Sequence, residues 1–225
     1  MADLVLALDL ADRSAALGLL DRVPKVAWVK VGPVLFTSSG PALVSELKQR
    51  GLKVFLDLKW HDIPNTVHGA VIRARELGVD LLTVHTLGGV AMMTAAREAA
   101  GGRVAVVGVT VLTSHDAVEL SAILGRESEL VEETVRRARA ALQAGLDGVV
   151  TSPLEVARLR AVMGPDALLV VPGIRSAGDP KGDQARTATA RVAVRDGADL
   201  LVVGRPVIAS NDPATAWDQL LSELR

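Results

Sequence analysis

Eight short apolar runs, with stretches of helical periodicity between them, recur along the whole chain and leave few folds open. The runs are LVLALDL (4–10), WVKVG (28–32), VFLDLK (54–59), LLTVH (81–85), VAVVGVTVL (104–112), GVVT (148–151), LLVVPG (168–173) and DLLVVGR (199–205). Their near-continuous Val and Leu content suits strands buried on both faces, as in a parallel sheet covered by helices. Between them, PALVSELKQRG, VAMMTAAREAAGG, SELVEETVRRARAALQAG and PATAWDQLLSELR are apolar at the helical period, with Gly following several ends. Eight such units predict an α/β fold, a (β/α)₈ barrel, with residues 1–225 as a single domain. An open doubly wound sheet is the alternative, but no Gly-x-Gly-x-x-Gly follows the first run. No stretch reads as low-complexity sequence or an interdomain linker, and the most loop-like segment is GIRSAGDPKGDQ (173–184).

Composition removes several function classes. With 49% hydrophobic residues among 225 the chain can build one large core, and with 2% aromatics and no Tyr that core must be Leu, Val, Ile and Ala. The absence of Cys excludes disulfides, Cys-ligated zinc, iron–sulfur clusters and thiol nucleophiles. Lys and Arg (25) balance Asp and Glu (26), and no basic run is interleaved with aromatics, so nucleic acid is not an expected partner. The N-terminal apolar stretch is interrupted by Asp9 too soon for a signal peptide, and nothing approaches an unbroken membrane span. A cytoplasmic location is the expectation.

The segment FLDLKWHDIPNT sets Asp57, Lys59 and Asp62 at an Asp-x-Lys-x-x-Asp spacing beside an apolar strand. Charges so placed must be paired, neutralised or used in chemistry, because burying them alone is costly. Strand alternation turns Leu56 and Leu58 toward the helices and Asp57 and Lys59 into the barrel. The same parity puts Ala7, Asp9, Trp28 and Lys30 inside. Asp9, Lys30, Asp57, Lys59 and His85 are therefore expected to converge at the C-terminal strand ends, where barrel enzymes keep their catalytic residues. The alternatives are a site whose alternating charges keep lysine protonated and an ion-pair cluster that merely closes the barrel top. A divalent ion at Asp57 and Asp62 would compete with the Lys59 ammonium. His61 and His85 are read as structural, His68 and His115 lack zinc-ligand spacing, and Met92, Met93 and Trp217 are read as core.

A second constellation follows the seventh and eighth runs: VVPGIR (170–175), the loop reaching Gln184, and VVGRPV (202–207). Barrels commonly bind phosphate with these loops, and Arg175 and Arg205 would add charge-assisted hydrogen bonds. Ordinary turns carrying two surface arginines are the alternative.

DLKWHDIPNT together with LDL, VKVG, VLTS, PGIR and VGRP, in this order, resembles the orotidine 5′-monophosphate decarboxylase family of the compact bacterial type, over residues 8–207. The resemblance implies a homodimeric, cytoplasmic carboxy-lyase of pyrimidine biosynthesis that makes uridine 5′-monophosphate and carbon dioxide without metal or cofactor. It implies that Lys59 protonates C6 within a network of Asp57, Lys59, Asp62 and Lys30. Asp9 and Lys30 would hold the ribose hydroxyls, Thr113 the pyrimidine edge, and Gln184 would bridge phosphate and base. Arg175, Gly204 and Arg205 would grip the phosphate, and Asp62 and Thr66 would reach the neighbouring subunit's site. Two rivals remain. Magnesium-dependent sugar-phosphate decarboxylases and aldolases resembling this fold share Asp-x-Lys-x-x-Asp but carry an acidic residue where this chain has Lys30. A noncatalytic phosphate-ligand barrel would keep the grip and lack the chemistry.

Overall fold

The computed structural model describes residues 2–175 and 186–224; Gln184 lies outside the described residues. Eight parallel strands close in chain order: β1 (Asp3–Ala7), β2 (Trp28–Val31), β3 (Lys53–Trp60), β4 (Leu81–His85), β5 (Ala105–Val109), β6 (Gly148–Val150), β7 (Leu168–Val171) and β8 (Leu200–Val203). β8 pairs back onto β1, with Asp3 opposite Leu200. The expected (β/α)₈ barrel is the fold observed.

Alternation sorts the strand residues into two cores, as a packed barrel requires. Val5, Ala7, Phe55, Leu81, Val107, Val170, Leu200 and Val202 fill the interior. Leu6, Val29, Val31, Leu56, Leu82 and Leu201 face the helices, whose buried side includes Met92, Met93 and Trp217. At Gly148 a Cβ would overlap the Leu168 backbone, so only glycine fits where β6 meets β7.

Several boundaries differ from the sequence expectation. β1 ends at Ala7 and β5 at Val109, whereas the apolar runs continue to Leu10 and Leu112. Leu8 and Val111 stay buried past the last ladder pair, so hydrophobicity outlasts the strand. The helix expected from Pro41 begins earlier, within Pro33–Gln49, and is interrupted at Gly40 (φ 63°), where the chain bends into Pro41.

At the opposite, N-terminal rim a Gly-x-Asp motif recurs before three strands: Asp80 before β4, Asp147 before β6 and Asp199 before β8. Each carboxylate accepts the N–H of a residue in the preceding strand, Val54 (2.7 Å), Val106 (2.8 Å) and Leu169 (2.8 Å). Each also pairs with a cation, Lys48, Arg97 or Arg160. These aspartates pin strand starts at the rim far from the mouth, where charged side chains serve stability and not chemistry. Replacing Asp199 with Ala orphans the Leu169 N–H and removes the counter-charge of Arg160, whose Nη2 keeps only the Gly197 carbonyl. We expect about 1–3 kcal/mol lower stability in urea unfolding, with activity unchanged. An unaltered midpoint would contradict this role.

Candidate active site

Three adjacent strands deliver the charges. Asp9 follows the end of β1, Lys30 points inward from β2, and Asp57 points inward from β3 one step above Phe55. Lys30 Nζ lies 2.8 Å from Asp9 Oδ1 and 3.6 Å from Asp57 Oδ2. Lys59 Nζ donates to the same Asp57 Oδ2 at 2.9 Å. The result is an alternating chain, Asp9, Lys30, Asp57, Lys59, in which one buried carboxylate is shared by two ammonium groups. Burial alone would raise the Asp57 pKa, but the charges of Lys30 and Lys59 and hydrogen bonds from Lys59 and Thr83 outweigh it and leave the pKa lowered. Asp57 therefore stays ionised at neutral pH. Its stabilising contribution is complete above the pKa of the unfolded carboxyl and is lost as pH falls through the lower folded value.

β3 is irregular where this chemistry sits. Its register against β4 shifts between Leu56 and Trp60: Leu56 pairs with Leu82 and Trp60 with Val84, so three residues of β3 span the interval in which β4 has only Thr83. Lys59 adopts a left-handed backbone with φ 50°, unique among the non-glycine residues described. Such a conformation costs on the order of 1–3 kcal/mol and persists only where its surroundings enforce it. Thr83 does so: its hydroxyl accepts the Lys59 N–H at 2.8 Å and donates to Asp57 Oδ1 at 3.0 Å. Sequence reasoning missed Thr83, although the parity of LLTVH places it inward with Leu81. Thr83→Val keeps the shape but removes both bonds. We expect kcat to fall about tenfold or more and stability to fall by about 1–3 kcal/mol. Wild-type kcat in a folded Thr83→Val protein would contradict this role.

These side chains line a cavity of about 450 Å³ at the barrel mouth, with Ala7, Phe55, Val150 and Val202 at its base. Asp9, Lys30, Asp57 and Lys59 contribute to its wall, as do Thr113, Gly173, Arg175, Gly204 and Arg205. At Gly204 a Cβ would stand 3.3 Å from the Ala7 Cβ and 3.5 Å from Asp9 Oδ2, crowding the cavity base. Gly32, also missed from sequence, has the same relation to the charges, since a Cβ there would lie 3.2 Å from Lys30 Nζ. The two constellations read separately from sequence thus share one chamber.

Three expected positions fall elsewhere. Asp62 and Thr66 are exposed and lie outside the chain's own network; Asp62 instead accepts the Ile63 N–H at 2.7 Å. His85, expected to converge with the charges, does not line the cavity. Alternation stops where β4 gives way to the turn Thr86–Gly88, and His85 caps that turn, its Nδ1 accepting the Leu87 N–H at 3.2 Å. It also stacks on His61 with ring centroids 5.6 Å apart. Burial first, and then its electrostatic interactions with neighbours that include Arg137 and Lys59, hold its pKa down at about 4, so it is neutral at physiological pH. Among the described residues no three His, Asp or Glu side chains form a group able to hold a metal ion, and no helix is long and apolar enough to cross a membrane.

The model of the orotidine 5′-phosphate decarboxylase / HUMPS family matches residues 2–220. This chain belongs to that family. A protein named orotidine 5′-phosphate decarboxylase from Moorella thermoacetica is 45% identical over 98% of this chain and 91% of its own. One of the same name from Anaeromyxobacter sp. (strain K) is 54% identical over 86% of this chain and 85% of its own. The crystal structure of orotidine 5′-phosphate decarboxylase from Lactobacillus acidophilus superposes with a TM-score of 0.89 at 34% identity, covering 100% of both chains. For a member of the orotidine 5′-phosphate decarboxylase / HUMPS family, the mouth of the barrel is the place where fold and charge distribution coincide.

Proposed function

We propose that this chain decarboxylates orotidine 5′-monophosphate to uridine 5′-monophosphate in pyrimidine biosynthesis, as a single-domain, cytoplasmic homodimer. The observation that carries the reading is the Lys59 ammonium, held on buried Asp57 at 2.9 Å and exposed to a cavity that Arg175 and Arg205 also line.

Departure of carbon dioxide leaves the bonding electron pair on C6 of the pyrimidine, where no adjacent carbonyl delocalises it well. A fixed positive charge beside C6 stabilises the carbanion as it forms, and charge already in place needs no reorganisation at the moment of reaction. Lys59 then gives a proton from Nζ to C6, completing uridine 5′-monophosphate, and regains a proton from solvent after release. Asp57 keeps Lys59 charged and aimed. Lys30, set between Asp9 and Asp57, completes the charge balance and with Asp9 offers partners to the ribose hydroxyls. Thr113 meets the pyrimidine edge, Arg175, Gly204 and Arg205 hold the phosphate, and Gln184 bridges phosphate and base. No step requires a metal or cofactor.

The magnesium-dependent sugar-phosphate reading is less well supported. Lys30 already places a positive charge 3.6 Å from Asp57 and 2.8 Å from Asp9, on the carboxylates that a divalent ion would need. An acidic residue at that position would have suited the ion.

In the proposed dimer Asp62 and Thr66 complete the neighbour's site. Their exposure, beside an Ile63 that is 66% exposed, leaves them available to a second subunit. Mixing Lys59→Ala with Asp62→Ala protein tests this. Each hybrid dimer then contains one intact site, so random exchange at equal concentrations is expected to restore about one quarter of wild-type decarboxylation. Demonstrated exchange without recovery would contradict the sharing.

A further inference from the structure

Outside the cavity wall, one buried ion pair ties together three of the loops that frame it. Arg186 Nη1 donates to Glu155 Oε1 at 2.5 Å, with side-chain exposures of only 8% and 4%. Glu155 follows β6, and its other oxygen lies 3.5 Å from Thr151 Oγ1. The second arm of Arg186, Nη2, donates to the Leu112 carbonyl at 3.0 Å, immediately before Thr113. Two residues further on, Ala188 exchanges backbone hydrogen bonds with the segment after β7: its carbonyl accepts the Arg175 N–H at 3.0 Å and its N–H reaches Gly173 O at 3.4 Å. Neither charged residue lines the cavity, yet the segments after β5 and β7 that they tie to the loop after β6 do, through Thr113, Gly173 and Arg175.

Stability alone is a weak reason for such a pair, because well-packed apolar side chains often replace buried ion pairs at no loss. What apolar residues cannot supply is a rigid two-armed donor. The planar guanidinium fixes the Leu112 carbonyl relative to Glu155, and a lysine at the same place offers a single mobile point charge instead. We propose that Arg186, oriented by Glu155, is a positioning residue that holds the backbone of Leu112 and Thr113 at the cavity wall and so sets Thr113 against the pyrimidine edge of the substrate. The inference rests on the reading of Thr113 as the residue that meets the base.

The test compares uridine 5′-monophosphate with ribose 5-phosphate, which carries the sugar and phosphate but no base. Arg186→Lys keeps the charge on Glu155 and releases the carbonyl. It is expected to weaken uridine 5′-monophosphate binding and kcat/KM about tenfold while ribose 5-phosphate binding stays within about twofold. Glu155→Met/Arg186→Met, which leaves no buried charge unpaired, should fold at least as stably and show the same selective loss. Thr113→Val should show that loss by itself, and adding Arg186→Lys to it should cost less than about twofold more. Equal weakening of both ligands by Arg186→Lys, no weakening of either, or effects that multiply with Thr113→Val overturns the positioning role while leaving Thr113 on the base. Unchanged uridine 5′-monophosphate binding in Thr113→Val overturns the base-edge reading and the proposal with it.

Discussion

Lys59→Ala protein is expected to lose about 10⁴-fold or more in turnover of orotidine 5′-monophosphate while still binding uridine 5′-monophosphate. On the proposed mechanism two effects vanish together: the proton donor for C6, and a fixed positive charge where the carbanion develops. The fold should tolerate the change. Alanine accepts the φ of 50° no worse than lysine, its N–H still reaches Thr83, and Lys30 remains 3.6 Å from Asp57 to balance its charge. Single-turnover kinetics alongside calorimetric titration with uridine 5′-monophosphate separates the two roles. Turnover within tenfold of wild type would remove Lys59 from the chemistry, and loss of binding together with turnover would defeat the separation.

The phosphate is expected to matter almost as much, although it takes no part in bond breaking. Orotidine, lacking that group, should react with kcat/KM lower by at least about 10³-fold, since two arginines and backbone groups can contribute charge-assisted hydrogen bonds only when it is present. Arg205→Ala should then lower kcat/KM for orotidine 5′-monophosphate by about 10- to 100-fold and leave the slow reaction of orotidine unchanged. That contrast identifies Arg205 with the phosphate instead of the base or the fold. A loss shared equally by both substrates would contradict it.

The barrel was legible because its signals are local: near-continuous apolar runs for the strands and helical period between them, repeated eight times. Strand alternation correctly turned Ala7, Trp28, Lys30 and Asp57 inward. It failed for His85, because parity holds only while the strand continues and β4 ends in a turn at that residue. It said nothing of the left-handed backbone at Lys59, which follows from a register shift against β4 and from the hydroxyl of Thr83, a neighbour 24 residues away in sequence. Thr83 itself was within reach of parity and was passed over because a lone threonine in an apolar run carries no charge to explain. The Gly-x-Asp repeats were also visible, but their purpose appears only when each carboxylate is seen holding the preceding strand. The Glu155 and Arg186 pair spans 31 residues and joins two loops, so no local pattern announces it. Asp62 and Thr66 are a different case: within one subunit they are merely exposed.

The most direct test of the account is the ultraviolet absorbance of orotidine 5′-monophosphate mixed with purified protein, before and after exhaustive treatment with a chelator. Conversion to the spectrum of uridine 5′-monophosphate is expected at the same rate in both samples. An unchanged spectrum, or a conversion abolished by the chelator and restored by magnesium, would contradict it.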